Sequence, residues 1–206
     1  MFPINILLID DHALFSRSLS IALEGYPEIE QFFLAQSMEN LEQLIADKKI
    51  DIVLMDINLG SMSNMDGLEA ASRLLIANPA LKIIILTGYD LPVYRHEAKK
   101  RGFCGFLNKN IAPGELLCSL NHVFQGGACF PPEPENLILE ELTETEKKIL
   151  ILISSGHKRG VVAKELFMSE RTLSNHLQHI FEKLNVSSAV EAVTKAIRLG
   201  YIPPLP

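Results

Sequence analysis

Five short apolar runs recur along the first two-thirds of the chain: INILLI at 4–9, QFFLA at 31–35, DIVLMD at 51–56, KIIIL at 82–86 and CGFL at 104–107. Stretches of helical length and period separate them, and that alternation is the pattern of a parallel α/β sheet. Five strand–helix units fit residues 4–125. The intervening stretches carry apolar stripes, Leu14, Leu19, Ala22 and Leu23 in one, Leu41, Leu44 and Ile45 in the next, and Leu116, Leu120 and Val123 in the last. All three stripes are expected to pack into the core.

Gly126-Gly127 and the PPEPE run at 131–135 interrupt this pattern. Consecutive prolines and exposed acids favour an extended, weakly packed connector, so the domains are set at 1–126 and 141–206 with a linker at 127–140. Beyond it the pattern is helical only. Thr143 followed by Glu146 forms a capping box that satisfies two orphan backbone donors and starts a helix reading to about Ser154. Gly156 closes that helix. Residues 159–166, 169–184 and 188–199 give three more, with Ser169 and Ser188 as N-caps and Gly200 and Pro203 as stops. The expected fold class is therefore α/β, a doubly wound five-stranded parallel sheet, with a second, smaller all-α domain.

Composition changes this picture in three places. The chain has 206 residues, 48% of them hydrophobic, enough for a real core. Its three cysteines, Cys104, Cys118 and Cys129, are odd in number and lack metal-ligand spacing, so reduced, partly buried thiols are expected. Net charge is −6, but unevenly spread: residues 1–139 hold 10 Lys+Arg against 17 Asp+Glu, and residues 140–206 hold 9 against 8. A near-neutral, slightly basic last third leaves nucleic-acid binding open there. The opening MFPINILLIDDH has no basic segment and meets two acids too soon for a signal peptide or a membrane span, so a cytoplasmic protein without membrane contact is expected.

Candidate chemistry collects where the strands end. Asp10 and Asp11 follow the first run, Asp56 the third, Thr87 the fourth and Lys109 the fifth. In open α/β sheets the functional crevice lies beyond the carboxyl ends of the strands. Acids also follow strands simply because strand ends meet solvent, so the set counts for more than any member. Three converging carboxylates repel one another without a cation, which points to a hard divalent metal, Mg²⁺ for oxygen ligands and phosphoryl chemistry. Lys109 and Thr87 are suited to stabilising a phosphoryl group added to a carboxylate.

The pieces LLIDDH, VLMDIN, ILTG and GFLNK, in this order over residues 4 to about 125, resemble the flavodoxin-like receiver domain of response regulators. That resemblance implies Asp56 as phosphoacceptor, Asp10, Asp11, Asp56 and the Asn58 backbone carbonyl as Mg²⁺ ligands, Thr87 and Phe106 as switch residues and Lys109 as the phosphoryl contact. Taken alone, Phe106 is better explained by ordinary core packing. One stretch departs from the family: DINLGSMSNMDG has Leu59-Gly60 where a Met-Pro pair is usual and runs about three residues longer. Gly60, Ser61 and Ser63 suggest a flexible insertion that the fold tolerates and that bears on phosphorylation rate or kinase recognition.

In SERTLSNHLQHIFEKL, at 169–184, Leu173, Leu177, Ile180, Phe181 and Leu184 share one helical stripe, the expected buried face. The opposite face carries Arg171, Asn175, Gln178, His179 and Glu182, groups able to reach base edges and phosphates. With the preceding helix and a tight connection through Phe167 and Met168, the segment forms a helix-turn-helix whose second helix suits the major groove. A polar helix face is more often simply solvated. Residues 142–202, however, resemble the LuxR-type helix-turn-helix through LTETEKKIL, SSGH, VAKELFMSERTLSNHLQHIFEKL and EAVTKAIRLGYI.

Together the two resemblances suggest a two-component response regulator of the NarL/FixJ type. They imply base reading by Ser174, Asn175 and Gln178 and backbone contacts by Thr172, His179 and Lys183, with Arg171 beside them. Val190, Val193 and Ile197 match the usual dimer contact, with core packing as the competing role. Family members often carry lysine at 174 and 178 and arginine at 145, where this chain has Ser174, Gln178 and Thr145, so weak binding by the monomer and paired sites are expected.

The implied partners are a histidine kinase, promoter DNA, RNA polymerase and a second copy of the chain when active. Two other readings stay open. A Mg²⁺-dependent phosphatase of the haloacid-dehalogenase type would need a D-x-D pattern after the first strand, where the chain has Asp10-Asp11-His12. A receiver-like transcription factor that ignores phosphorylation is suggested by the altered loop.

Overall fold

The computed structural model describes residues 3–35, 37–63, 65–132 and 139–203, in two compact units, the first ending at Pro132. In the first, strands β1 (Ile4–Ile9), β2 (Ile29–Ala35), β3 (Ile52–Met55), β4 (Lys82–Thr87) and β5 (Gly105–Asn108) alternate in sequence with helices. These are α1 (Ala13–Leu23), α2 (Leu41–Asp47), α3 (Gly67–Ala77), α4 (Pro92–Lys100) and α5 (Pro113–Phe124). The strands form one sheet in the order β2-β1-β3-β4-β5, with every neighbouring pair parallel. That is the doubly wound sheet the pattern predicts.

The strands are apolar throughout because both faces are covered. Ile4, Ile6, Leu8, Ile52, Leu54, Ile84 and Leu86 form one cluster with Leu19 and Leu23 of α1 and Leu116, Leu120 and Val123 of α5. The alternate residues Leu7, Ile9, Val53, Met55, Ile83 and Ile85 are also fully buried. The α1 stripe is the exception to the expected core: Leu14 is 83% exposed and Ala22 is also at the surface. Ser16, Leu19 and Leu23 form the buried row instead. At about 100° per residue, Leu14 lies roughly opposite Ser16, so a leucine faces water and a serine faces the sheet.

The start of the connector is packed on the sheet. The Cys129 N–H donates to the Cys104 carbonyl at 2.9 Å, and the Cys129 carbonyl accepts from the Phe106 N–H at 2.8 Å, so this single residue extends the sheet beyond β5. Within the expected linker at 127–140, residues 133–138 lie outside the described residues.

In the second unit, four helices are found among the described residues: α6 (Glu144–Ser154), α7 (Arg159–Glu165), α8 (Glu170–Leu184) and α9 (Ala189–Leu199). The caps fall where the sequence sets them. Thr143 and Glu146 form the reciprocal capping box, and Ser169 and Ser188 accept from the Thr172 and Glu191 N–H groups. Ile149, Leu150, Val162, Leu173, Leu177, Ile180, Leu184, Ala192 and Ala196 make the core, with Phe181 half-buried against it. Phe167, in the turn between α7 and α8, has φ +53° and is almost wholly exposed.

Candidate phosphoacceptor site and DNA-binding helix

Strand register brings the acidic residues together. Ile9 pairs with Met55 across β1 and β3, so Asp10 and Asp56 leave adjacent strands at the same level. The strand order reverses between these two strands, the place where open α/β sheets hold their crevice. Thr87 pairs with Asn108 at the ends of β4 and β5, and Lys109 follows, its N–H donating to the Thr87 carbonyl at 3.0 Å.

The Lys109 ammonium bridges two carboxylates, 2.7 Å from Asp10 Oδ2 and 2.7 Å from Asp56 Oδ2. It also lies 4.9 Å from the centre of the Phe15 ring. Partial burial pulls the Lys109 pKa down, but the hydrogen bonds to Asp10 and Asp56 and their charges outweigh it and raise the pKa overall. One lysine does not satisfy this group. Asp56 is 2% exposed, and its Oδ1 is buried with no hydrogen-bond partner among the described residues. Asp10, Asp11, His12 and Asp56 each offer a ligand atom within 4.8 Å of the others. Buried carboxylate oxygens at that spacing, one of them unpartnered, form an acidic pocket of the kind that holds a hard divalent cation.

His12 is a member that sequence reading missed, although it directly follows the two acids. Its Nδ1 lies 2.8 Å from Asp11 Oδ1, and its backbone N–H donates to Asp10 Oδ1 at 2.9 Å. Thr87 is fully buried, its hydroxyl oxygen accepting from the Tyr89 N–H at 3.2 Å. Phe106 is fully buried as well. Asn58 is exposed and turns its side chain back, accepting from the Gly60 N–H at 3.2 Å. The loop expected to be loose follows a folded course, with Leu59 buried and a 3₁₀ turn over Gly60–Met62.

On α8 the buried row is Leu173, Leu177, Ile180 and Leu184, and Arg171, Thr172, Ser174, Asn175, Gln178 and His179 are exposed. Several of these polar groups are engaged within the helix. Ser174 Oγ donates to the Glu170 carbonyl at 2.9 Å, and Gln178 Nε2 donates to Glu182 Oε1 at 2.9 Å. Lys183 turns inward, its ammonium 2.8 Å from Glu146 Oε2 and 3.0 Å from the Glu141 carbonyl. On α9, Val190 is 77% exposed, whereas Val193 and Ile197 are half-buried against the domain core.

Comparison with known proteins agrees with both halves. Residues 6–121 match the response regulator receiver domain, and residues 140–196 match the bacterial regulatory proteins of the luxR family. The transcriptional regulatory protein DesR of Bacillus subtilis (strain 168) is 30% identical over 201 residues, covering 96% of this chain and 98% of DesR. The transcriptional regulatory protein DegU of Brevibacillus brevis is 28% identical over 227 residues, covering 97% and 95%. Among solved structures, that of the RcsB–DNA complex shares the fold, with 20% identity, a TM-score of 0.66 and coverage of 96% of this chain and 100% of its own. No helix among the described residues is long and apolar enough to cross a membrane. With a receiver fold, an acidic pocket at its strand switch point and a helix-turn-helix later in the chain, the protein belongs to the response regulators, the DNA-binding transcriptional regulators that join a receiver to a LuxR-family domain.

Proposed function

We propose that Asp56 is the phosphoacceptor and that its phosphorylation by a histidine kinase controls binding of promoter DNA by α8, in the cytoplasm. The observation that carries this reading is the Lys109 ammonium held between Asp10 and Asp56 while Asp56 Oδ1 stays buried and without a hydrogen-bond partner among the described residues. A carboxylate oxygen of Asp56 attacks the phosphorus of the kinase phosphohistidine. The P–N bond breaks as the P–O bond forms, and the imidazole leaves. Asp10, Asp11, Asp56 and the Asn58 carbonyl would hold a Mg²⁺ ion, which when bound would neutralise charge on the transferring group.

Lys109 and Thr87 are placed to hold the added charge, the lysine by exchanging part of its contact with the Asp56 carboxylate for the phosphoryl oxygens. Thr87 and Phe106 sit on neighbouring strands, so movement of the threonine hydroxyl toward the new charge vacates space next to the aromatic ring. The resulting change of receiver surface relieves inhibition of the DNA-binding domain and favours a homodimer through Val190, Val193 and Ile197. Within α8, Ser174, Asn175 and Gln178 read bases, and Arg171, Thr172 and His179 contact the backbone. RNA polymerase is the further partner at the promoter.

The assignment is tested by treating the full chain with a small radiolabelled phosphodonor and Mg²⁺. Wild type takes up acid-stable, base-labile label and Asp56→Asn takes up none. Undiminished label in Asp56→Asn would overturn the site. Label on Asp10 with turnover of phosphate esters would favour a phosphatase.

A further inference from the structure

The segment between β3 and α3 is tied down at several points. Leu59 is 1% exposed, and its carbonyl accepts from the Met62 N–H at 2.8 Å. The Asn58 side chain accepts from the Gly60 N–H, Ser63 Oγ accepts from the Met65 N–H at 2.9 Å, and Asp66 caps α3. Between these anchors the backbone turns through Gly60 at φ +48°. There it comes so close to Asp11 that a Cβ on residue 60 would lie 1.9 Å from Asp11 Oδ2 and 3.0 Å from Asp11 Cγ. The other oxygen, Asp11 Oδ1, is 2.8 Å from His12 Nδ1.

We propose that Gly60 is a positioning residue of the cation site, whose bare α-carbon lets the loop lie against the Asp11 carboxylate and hold it, with His12 on the other side, in the orientation that a divalent ion needs. The inference rests on the reading of Asp11 as a metal ligand. The atom in conflict with an added side chain is the far end of a partly exposed carboxylate, not backbone. A side chain at 60 therefore displaces Asp11 from its place while leaving the sheet intact. Gly60, part of the stretch that looks like a tolerated insertion in the sequence, lies directly against the site.

Calorimetric titration of the full-length chain with Mg²⁺ alone tests this on wild type, Gly60→Ala, Gly60→Asn, Asp11→Ala and the Asp11→Ala/Gly60→Ala pair. Gly60→Ala is expected to weaken Mg²⁺ binding about tenfold, the scale on which loss of an orienting partner acts. Gly60→Asn is expected to lose as much, because it brings the same Cβ although asparagine tolerates positive φ. Near-wild-type affinity for Gly60→Asn would mean that backbone strain, not the Asp11 contact, is responsible.

In the Asp11→Ala background the conflicting carboxylate is gone, so adding Gly60→Ala should change Mg²⁺ affinity no further. An equal loss in that background, wild-type affinity for Gly60→Ala, or unfolding of Gly60→Ala in metal-free buffer would each overturn the proposal. Wild-type Mg²⁺ affinity for Asp11→Ala would instead remove the ligand assignment beneath it.

Discussion

The Lys183 ammonium stands 2.8 Å from Oε2 of Glu146, a carboxylate that is only 3% exposed. The same oxygen accepts from the Thr143 N–H at 2.7 Å, so the capping box of α6 and an ion pair to α8 share one group. Replacing Lys183 by Met leaves that buried carboxylate with its Thr143 hydrogen bonds but without its counter-charge. A cost of about 2 kcal/mol is expected, below the range for fully buried pairs because Lys183 is partly exposed. The check is thermal unfolding of the second domain in the full chain.

If Lys183 serves α6 in this way, it is not available to phosphate. Lys183→Met should leave the salt dependence of DNA binding unchanged where binding is measured on folded protein. A fall of about 0.9 in the slope of log affinity against log salt would put the lysine on the DNA backbone after all.

The pH dependence of this domain follows from the same pair. Burial pushes the Glu146 carboxyl up, but the hydrogen bonds from Lys183 and from the Thr143 N–H and hydroxyl outweigh it and hold the pKa below the usual carboxylate value. A carboxyl depressed on folding stabilises the fold fully above its unfolded pKa of about 4.3 and loses that contribution as pH falls through the folded value. Stability of the second domain should therefore decline below about pH 4.3, and less steeply in Glu146→Gln. Equal acid sensitivity in both proteins would assign the decline elsewhere.

Gly105 and Cys129 are matched in the other domain. A Cβ on residue 105 would stand 2.2 Å from Cys129 Sγ and 2.8 Å from the Cys129 carbonyl oxygen. Gly105→Ala should release the Cys129 segment from β5 and cost about 1–3 kcal/mol, as overpacking does. Hydrogen exchange at the Phe106 amide, which donates to the Cys129 carbonyl, should quicken. Cys129→Ala should rescue Gly105→Ala only in part, because the carbonyl contact remains. Unchanged exchange at Phe106 would argue against the coupling.

What the sequence reveals and what it hides divide along one physical line. Strand runs, the helix stripes outside α1 and the Thr143–Glu146 box depend on residues close together in the chain, and they stand where periodicity and capping chemistry put them. The strand-end acids were equally legible, since parallel strands of a doubly wound sheet bring their carboxyl ends to one edge. Leu14 misled because apolarity was read without the phase of the helix, which turns Ser16 inward. Lys183 with Glu146, Gly60 with Asp11, and Gly105 with Cys129 are each set by contacts between separate elements, and spacing along the chain carries no trace of them.

The central claim is that a phosphoryl group on Asp56 governs DNA binding. Its most direct test is the affinity of the full-length chain for its promoter DNA at fixed salt, before and after treatment with a small phosphodonor and Mg²⁺, in wild type and Asp56→Asn. Wild type should tighten by tenfold or more, about 1.4 kcal/mol at least, and Asp56→Asn should not respond. Unchanged affinity in phosphorylated wild type, or equal tightening in Asp56→Asn, would contradict the account.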